Sequence, residues 1–317
     1  MSIVQKLYDR GYLAHSIPEY VAINSVYEVI MGSQAYGANL TVSSDVDVYC
    51  IFLPKKEQLF PNLSGLIWCF DDFPEQQTYQ KAAIKPENET VEYDVTFYPI
   101  TTFFKLAREA NPNIIDSLFV QFEDVRKLTQ NVGSLIRDNR KLFLSKKVYH
   151  KFRGYAYSQL SKVRTILTDE SKEISLLDFY KTVKKDSLTT LREEFNLTGT
   201  DWKFVYHVVR LLLECQQILE EGDLSLKRNS DFLKHIRQGG MTLQEILFWV
   251  SEQEKRLEVA YTNSQLQASC DKVKIRELLL NCLEAHYGSL DKVIYIPRHD
   301  TDNFLTELKE LFVKYNL

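Results

Sequence analysis

Apolar positions along the chain follow two regimes. In the first hundred residues they come mainly as short β-branched and aromatic runs. Val26, Val29, Ile30 and Met31 end at Gly32-Ser33, and Val48, Tyr49, Cys50, Ile51, Phe52 and Leu53 end at Pro54. Thr90 to Tyr98 forms a third run, stopped by Pro99. Such runs, bounded by Gly and Pro, read as strands. A polar helix carrying Ile3, Val4, Leu7 and Tyr8 precedes them. Between the first two strands the pattern predicts a tight glycine turn, a short helix and a loop. Residues 55–90 read as irregular, with Leu66 to Phe70 as a short strand.

Beyond Pro99 the period changes. Thr101 can N-cap a helix to about Ala110, Asn111-Pro112-Asn113 breaks it, and Ile114, Ile115, Leu118 and Phe119 mark a second short helix. From about residue 150 the pattern is helical to the end. Its segments include 186–196, Trp202 to Leu219 (capped by Thr200-Asp201 and ended by Glu221-Gly222), a helix from Thr242 to about Leu257, Val273 to Tyr287, and 301–315. The expected fold class is therefore α+β. A mixed sheet with helices occupies residues 1–145 and a helical domain occupies 146–317.

The chemistry is densest at Met31 to Leu53. Asp45 and Asp47, one residue apart at the start of a strand, point to the same face. Taken alone, this pair fits a solvated strand end as well as a metal clamp. With no Lys or Arg adjacent, two such carboxylates repel unless a cation lies between them. Hard oxygen ligands suit Mg²⁺, usually held by one or two carboxylates together with substrate phosphates. Gly32-Ser33, at a strand end before a helix, offers backbone N–H groups and a hydroxyl to a phosphate. In the third strand Glu92 and Asp94 share a face by the same period. A solvent-facing row on an edge strand would look the same.

A second polar set interrupts the apolar helix Trp202 to Leu219. Lys203, His207, Arg210 and Glu214 follow one another at spacings of four, three and four, which puts them on one face. The other faces carry Phe204, Val205, Val208, Val209 and Leu211 to Leu213. A polar stripe on a helix buried nearly all round must meet partners or a cleft.

Composition adds limits. Formal net charge is −4, from 39 Lys and Arg against 43 Asp and Glu. That argues against an all-over basic nucleic-acid binder but leaves room for a local patch. Residues 125–153 supply one, with Arg126, Lys127, Arg137, Arg140, Lys141, Lys146, Lys147, Lys151 and Arg153; it reads as a solvated face or as a surface for RNA. The five cysteines are scattered without C-x-x-C spacing, which fits a reducing compartment and offers no zinc site. No apolar run approaches membrane-spanning length and no signal-peptide core is present at the N-terminus, so a soluble cytoplasmic protein is expected.

The ordered set Gly32-Ser33, Gly37 and Ser44-Asp45-Val46-Asp47, running into an apolar strand, resembles the signature of the DNA polymerase β-like nucleotidyltransferase superfamily. The later Asn111-Pro112-Asn113-x-x-Asp116-x-Leu118 segment, the helix with His207 and Arg210, and Ile296-Pro297 are similar to a subgroup called YcgL-like or RlaP-like. That subgroup includes bacterial and phage proteins and relatives found beside RNA ligases.

The resemblance implies a polymerase β palm-like N-terminal half and metal-dependent transfer of NMP from an NTP, ATP among them, to a hydroxyl acceptor. The implied cofactor is two Mg²⁺ ions, with Mn²⁺ as a substitute. Asp45, Asp47 and Asp94 become metal ligands, with Asp94 the third ligand and base and Glu92 its stand-in. Gly32, Ser33 and Ser44 become nucleotide contacts, Ser43 rivalling Ser44 because the loop after Gly37 is one residue longer than the usual pattern. His207 and Arg210, with Lys203, become contacts to triphosphate or acceptor. RNA, such as a tRNA end or a broken strand under repair, is the favoured acceptor. A protein or small-molecule acceptor and a non-catalytic nucleotide-binding module are the alternatives. The oligomeric state is not encoded in any feature of the sequence.

Overall fold

The computed structural model describes residues 2–14, 16–40, 45–60, 77–167, 172–175, 177, 178, 180 and 199–290. The expected strand at Leu66 to Phe70, the helices at 186–196 and 301–315, the Ile296-Pro297 pair, and Ser43 and Ser44 lie outside the described residues.

The chain opens with α1 (Ile3–Asp9) and α2 (Glu19–Ile23), followed by β1 (Ser25–Ile30), the single turn α3 (Gly32–Ala35) and β2 (Val46–Phe52). Then come α4 (Lys56–Leu59), β3 (Tyr79–Ile84), β4 (Tyr93–Pro99), α5 (Ile100–Arg108), α6 (Pro112–Phe119), β5 (Val125–Leu128) and α7 (Val132–Asp138). The second half comprises α8 (Lys147–Leu160), the strands β6 (Arg164–Leu167) and β7 (Lys172–Ser175), α9 (Gly199–Glu221), α10 (Ser230–Arg237), α11 (Leu243–Asn263) and α12 (Lys272–Tyr287).

Five strands form one mixed sheet in the order β3-β4-β2-β1-β5. Only β2 and β4 run parallel; the other neighbours are antiparallel. Alternation along β2 and β4 assigns the two faces. Val48, Cys50, Phe52, Val95 and Phe97 pack with Ile3, Val4, Leu7 and Val21 beneath α1 and α2. Ile51, Tyr49 and Tyr98 meet the larger cluster that the helices build on the opposite face. Asp47 and Asp94 share the parity of Tyr49 and Tyr98, so their side chains belong to the face that looks towards the helical half.

The second half is organised around α9. Val205, Val209, Leu212, Cys215 and Ile218 have no exposed surface. Each such side chain contributes roughly 1.5–3 kcal/mol on burial, which makes α9 a firmly anchored support. It packs on α8, α10 and α11, while α12 returns to cover α5 and α7. The larger apolar cluster is continuous across residue 145, from Val26 and Phe104 through Phe143 to Val148, Val209 and Leu283. No helix among the described residues is long and apolar enough to cross a membrane.

The α+β class, the mixed sheet and the helical C-terminal region agree with expectation, with local departures. α5 starts at Ile100, so Thr101 lies inside it rather than at its N-cap. Asn111 is the N-cap of α6, accepting a hydrogen bond from the Ile114 N–H. The second half is not wholly helical, because β6 and β7 pair antiparallel with Thr165 opposite Ile174; β-branched residue types favour such extended backbone. The basic run begins as the edge strand β5, paired to β1. Charged residues on an edge strand discourage further pairing.

Candidate active site

The turn after β1 is built for close approach. Gly32 adopts φ +64°, and a Cβ there would overlap Oδ2 of Asp47. The Met31 N–H donates to the Asp47 carbonyl at 2.7 Å, which fixes the turn against the start of β2. Gly37, at φ +63°, ends the same turn beside Ser230 of α10. Backbone in this left-handed region favours glycine.

Register then aligns the acids. Asp47 stands opposite Asp94 in the parallel β2–β4 pairing. Asp45 lies just before β2. Glu92 lies just before β4, where its carbonyl accepts the Val46 N–H at 2.8 Å. Of the two carboxylates in this segment, Asp94 is the one beside Asp47. Its Oδ1 accepts the Ala83 N–H at 2.7 Å, which leaves the second oxygen for other work.

These groups face α9 across a cleft of about 270 Å³ lined by Gly32, Ser33, Asp45, Asp47, Asp94, Lys203, Tyr206, His207 and Arg237. Seven residues singled out in the sequence therefore meet in one place. Burial raises the Asp47 carboxyl above the usual carboxylate range; Asp94 and Asp45 push it further, while Lys203 opposes them. Burial lowers His207 to about 3, helped by the charges of Arg210, Lys203, Arg237 and Lys162. The imidazole is thus neutral at physiological pH.

Arg210 departs from expectation. Its guanidinium does not line the cleft but is buried with Asp116 at 2.5 Å and Glu214 at 2.9 Å, and sits 4.2 Å from the Tyr36 ring centroid. Tyr36 also donates to Asp116 at 2.8 Å. The polar stripe therefore divides. Its first turn, Lys203 and His207, reaches the cleft, and its second, Arg210 and Glu214, ties α9 to α6 and to the turn after β1. The division follows from the partners: Lys203 and His207 line the cleft beside the acids, while Asp116 of α6 and Glu214 hold Arg210.

Two lining residues carried no role in the sequence reading. Tyr206 is three residues after Lys203 and adjacent to His207, so helical spacing alone places it on the same side. Arg237 ends α10, donates to the Ala38 carbonyl at 2.9 Å and lies 5.8 Å over the Tyr206 ring. Only the tertiary approach of α10 to the 32–38 turn brings it here.

The basic run is mostly engaged within the protein. Lys127 donates to Ser25, and Arg137 to Tyr27 and the Val120 carbonyl. Arg140 donates to the Arg137 carbonyl, Lys141 pairs with Asp223, and Arg153 with Glu254.

Among the described residues, no set of three His, Cys, Asp or Glu side chains is drawn together tightly enough to hold a metal ion unaided. The donors nonetheless fit a hard divalent cation. Asp47, crowded by two further carboxylates, gains by neutralisation, and such ions complete their shell with substrate phosphates.

Among solved structures, a nucleotidyltransferase-like protein from Exiguobacterium sibiricum 255-15 aligns over 100% of this chain and 92% of its own, at 10% identity and a TM-score of 0.28. No curated protein matches. The sequence profile of one family, described as RlaP, the RNA repair pathway DNA polymerase beta family, matches residues 13–296. With most of its length matched, and with a mixed sheet that presents paired carboxylates to a helical half, the chain belongs to the RlaP family of polymerase β-like nucleotidyltransferases.

Proposed function

We propose that this protein transfers a nucleoside monophosphate from an NTP to a hydroxyl acceptor, and that the acceptor is an RNA end. The observation that carries the reading is the Asp47–Asp94 register pair, with the Gly32-Ser33 turn packed on Asp47 and Lys203, His207 and Arg237 opposite.

Each residue has a role that follows from its position. The Gly32-Ser33 turn offers N–H and hydroxyl donors to the triphosphate; Ser44, outside the described residues, is carried as a further contact on the family resemblance alone. Lys203 and Arg237 balance its charge from the far wall. Neutral His207 both donates and accepts hydrogen bonds without adding charge. Arg210 acts through position, holding α9 over the acids rather than touching substrate. The acceptor hydroxyl attacks the α-phosphorus, pyrophosphate leaves, and the free oxygen of Asp94 takes the hydroxyl proton. Asp45, Asp47 and Asp94 would hold the Mg²⁺ or Mn²⁺ ions. Bound there, such ions neutralise the phosphate oxygens and lower the pKa of the attacking hydroxyl. Alignment and charge neutralisation account for most of the acceleration in chemistry of this type. The buried cysteine thiols support a cytoplasmic setting.

The test is incubation with each α-labelled NTP, Mg²⁺ or Mn²⁺ and total RNA, beside an Asp45→Ala/Asp47→Ala variant. Label entering RNA with the native protein alone supports the reading and identifies the base.

A second reading, with a protein or small molecule as acceptor, draws on the basic segment. Its Arg137 and Arg153 are tied to partners within the protein, which reduces the surface available to a long RNA. Label on the protein or on a small molecule would favour it.

A further inference from the structure

A polar cavity of about 250 Å³ lies apart from the cleft, where α7 meets the end of α9. Its charged lining is Arg137, Arg140, Arg228, Glu221 and Asp223. The carboxylates are already matched. Both oxygens of Glu221 accept from Arg228, and Asp223 pairs with Lys141 at 2.6 Å. Arg137 and Arg140 are held differently. Arg137 donates to the Tyr27 hydroxyl and the Val120 carbonyl, and Arg140 to the Arg137 carbonyl. These acceptors are neutral, so they fix the two half-buried guanidiniums in place without cancelling their charge. The cavity therefore keeps an excess of positive charge, which an anion between the two arginines would neutralise.

The aromatic beside it selects the anion. Phe122 is 70% exposed, more than any other large apolar side chain among the described residues. The Arg137 guanidinium lies 5.9 Å from its ring centroid, and the adjacent Gln121 lines the cavity. A single exposed ring means little by itself. Beside fixed guanidiniums it completes the two surfaces that one nucleotide needs, a fork for the phosphate and a face for the base. Position favours a strand that also reaches the acids. Arg228 stands just before α10, and Arg237 of the cleft ends that helix. α10 is about 12 Å long at 1.5 Å per residue, so it spans from one site to the other.

We propose that this cavity holds a backbone phosphate of the RNA acceptor, between Arg137 and Arg140, with a neighbouring base stacked on Phe122. This rests on the RNA reading above and adds a second point of contact, away from the reacting end. The bonds that tie Arg137 to the protein hold its charge ready for one phosphate rather than for a long tract.

Phe122→Ala and Arg140→Gln test this. The probes are a labelled, short single-stranded oligoribonucleotide, read by fluorescence anisotropy over a series of salt concentrations, and an α,β-methylene nucleoside triphosphate with Mg²⁺. Phe122→Ala should weaken RNA binding about fivefold or more, the scale of one base stacked on an aromatic ring. Arg140→Gln should also weaken it, and should make the fall of log affinity with log salt shallower by about 0.7, one phosphate contact on a single strand. Neither should change affinity for the triphosphate analogue or lower the thermal midpoint by several degrees. RNA affinity equal to the native value in both variants overturns the proposal; a phosphoserine peptide that loses binding to the same variants would then assign the cavity to a protein partner. An unchanged salt slope in Arg140→Gln overturns the phosphate contact. Equal losses for RNA and the triphosphate analogue overturn it too, by tracing the effect to the fold. If the native protein binds the analogue but no RNA, the RNA reading itself fails.

Discussion

Oδ2 of Asp47 occupies the space that a side chain on Gly32 would need. The Gly32-Ser33 turn and the first acid of the β2–β4 pair are therefore one mechanical unit. Gly32→Ala should fail twice. It forces a Cβ into the left-handed region, at a cost of about 1–2 kcal/mol, and it displaces the Asp47 carboxylate. Urea unfolding should show the modest loss of stability. The labelled-NTP assay should show a loss on the order of 100-fold, the scale expected when a group that stabilises the transition state is misplaced. A stability loss with full activity would uncouple the turn from Asp47.

Asp47 is held in its least comfortable charge state when no cation is present. Burial and the neighbouring Asp94 and Asp45 all oppose ionisation. Asp47→Asn should leave the metal-free protein as stable as the native one, or more so, while transfer falls by on the order of 100-fold or more. Scanning calorimetry with and without millimolar Mg²⁺ separates the effects. The cation should raise the midpoint of the native protein and have little effect on the variant. An equal rise in both would place the ion elsewhere.

Asp45, Asp47, Gly32 and Ser33 were legible in the sequence because a period-two strand and a glycine turn are local features. Asp94 and Glu92 were not separable by period, since both share one face; the register sets Asp94, and not Glu92, opposite Asp47. Lys203, His207 and Arg210 all satisfied the same helical spacing, but the spacing is blind to where a neighbouring element ends. It therefore could not show that Asp116 takes Arg210. Arg237 was invisible for a related reason: its contact with Ala38 joins segments 199 residues apart. β5 was obscured by Arg126 and Lys127, which read as charge rather than as an edge strand.

Arg210 carries two buried carboxylates, Asp116 with no exposure and Glu214 with 5%. Burial raises both, Glu214 well above the usual carboxylate range, while the guanidinium opposes the shift. Removing the cation leaves charge uncompensated, so Arg210→Met should cost about 3–5 kcal/mol at neutral pH. The loss should shrink as pH falls, because protonated carboxyls need no counter-charge. Urea unfolding across a pH series measures both. If Arg210 instead served substrate alone, nucleotide binding would weaken with stability intact.

His207 adds a second pH dependence, from a group whose own titration opposes folding in acid. Its folded-state value, about 3, lies below the ordinary value of 6.5 because the ring is buried among four cations. Between those two pH values the unfolded chain binds a proton that the folded chain does not. Stability is therefore fully present above about pH 6.5 and declines as pH falls towards 3, with a slope from this one group of up to about 1.4 kcal/mol per pH unit. His207→Gln removes the slope, so the native protein should lose its advantage over the variant steadily between neutral pH and about pH 4.5. A bound polyphosphate brings negative charge to the same wall and raises the imidazole. Nucleotide analogue binding below pH 6 should then take up more protons in the native protein than in His207→Gln. Calorimetric titration in buffers of different ionisation enthalpy reads that difference directly. Equal proton uptake in the two proteins would mean that the polyphosphate does not lie beside His207.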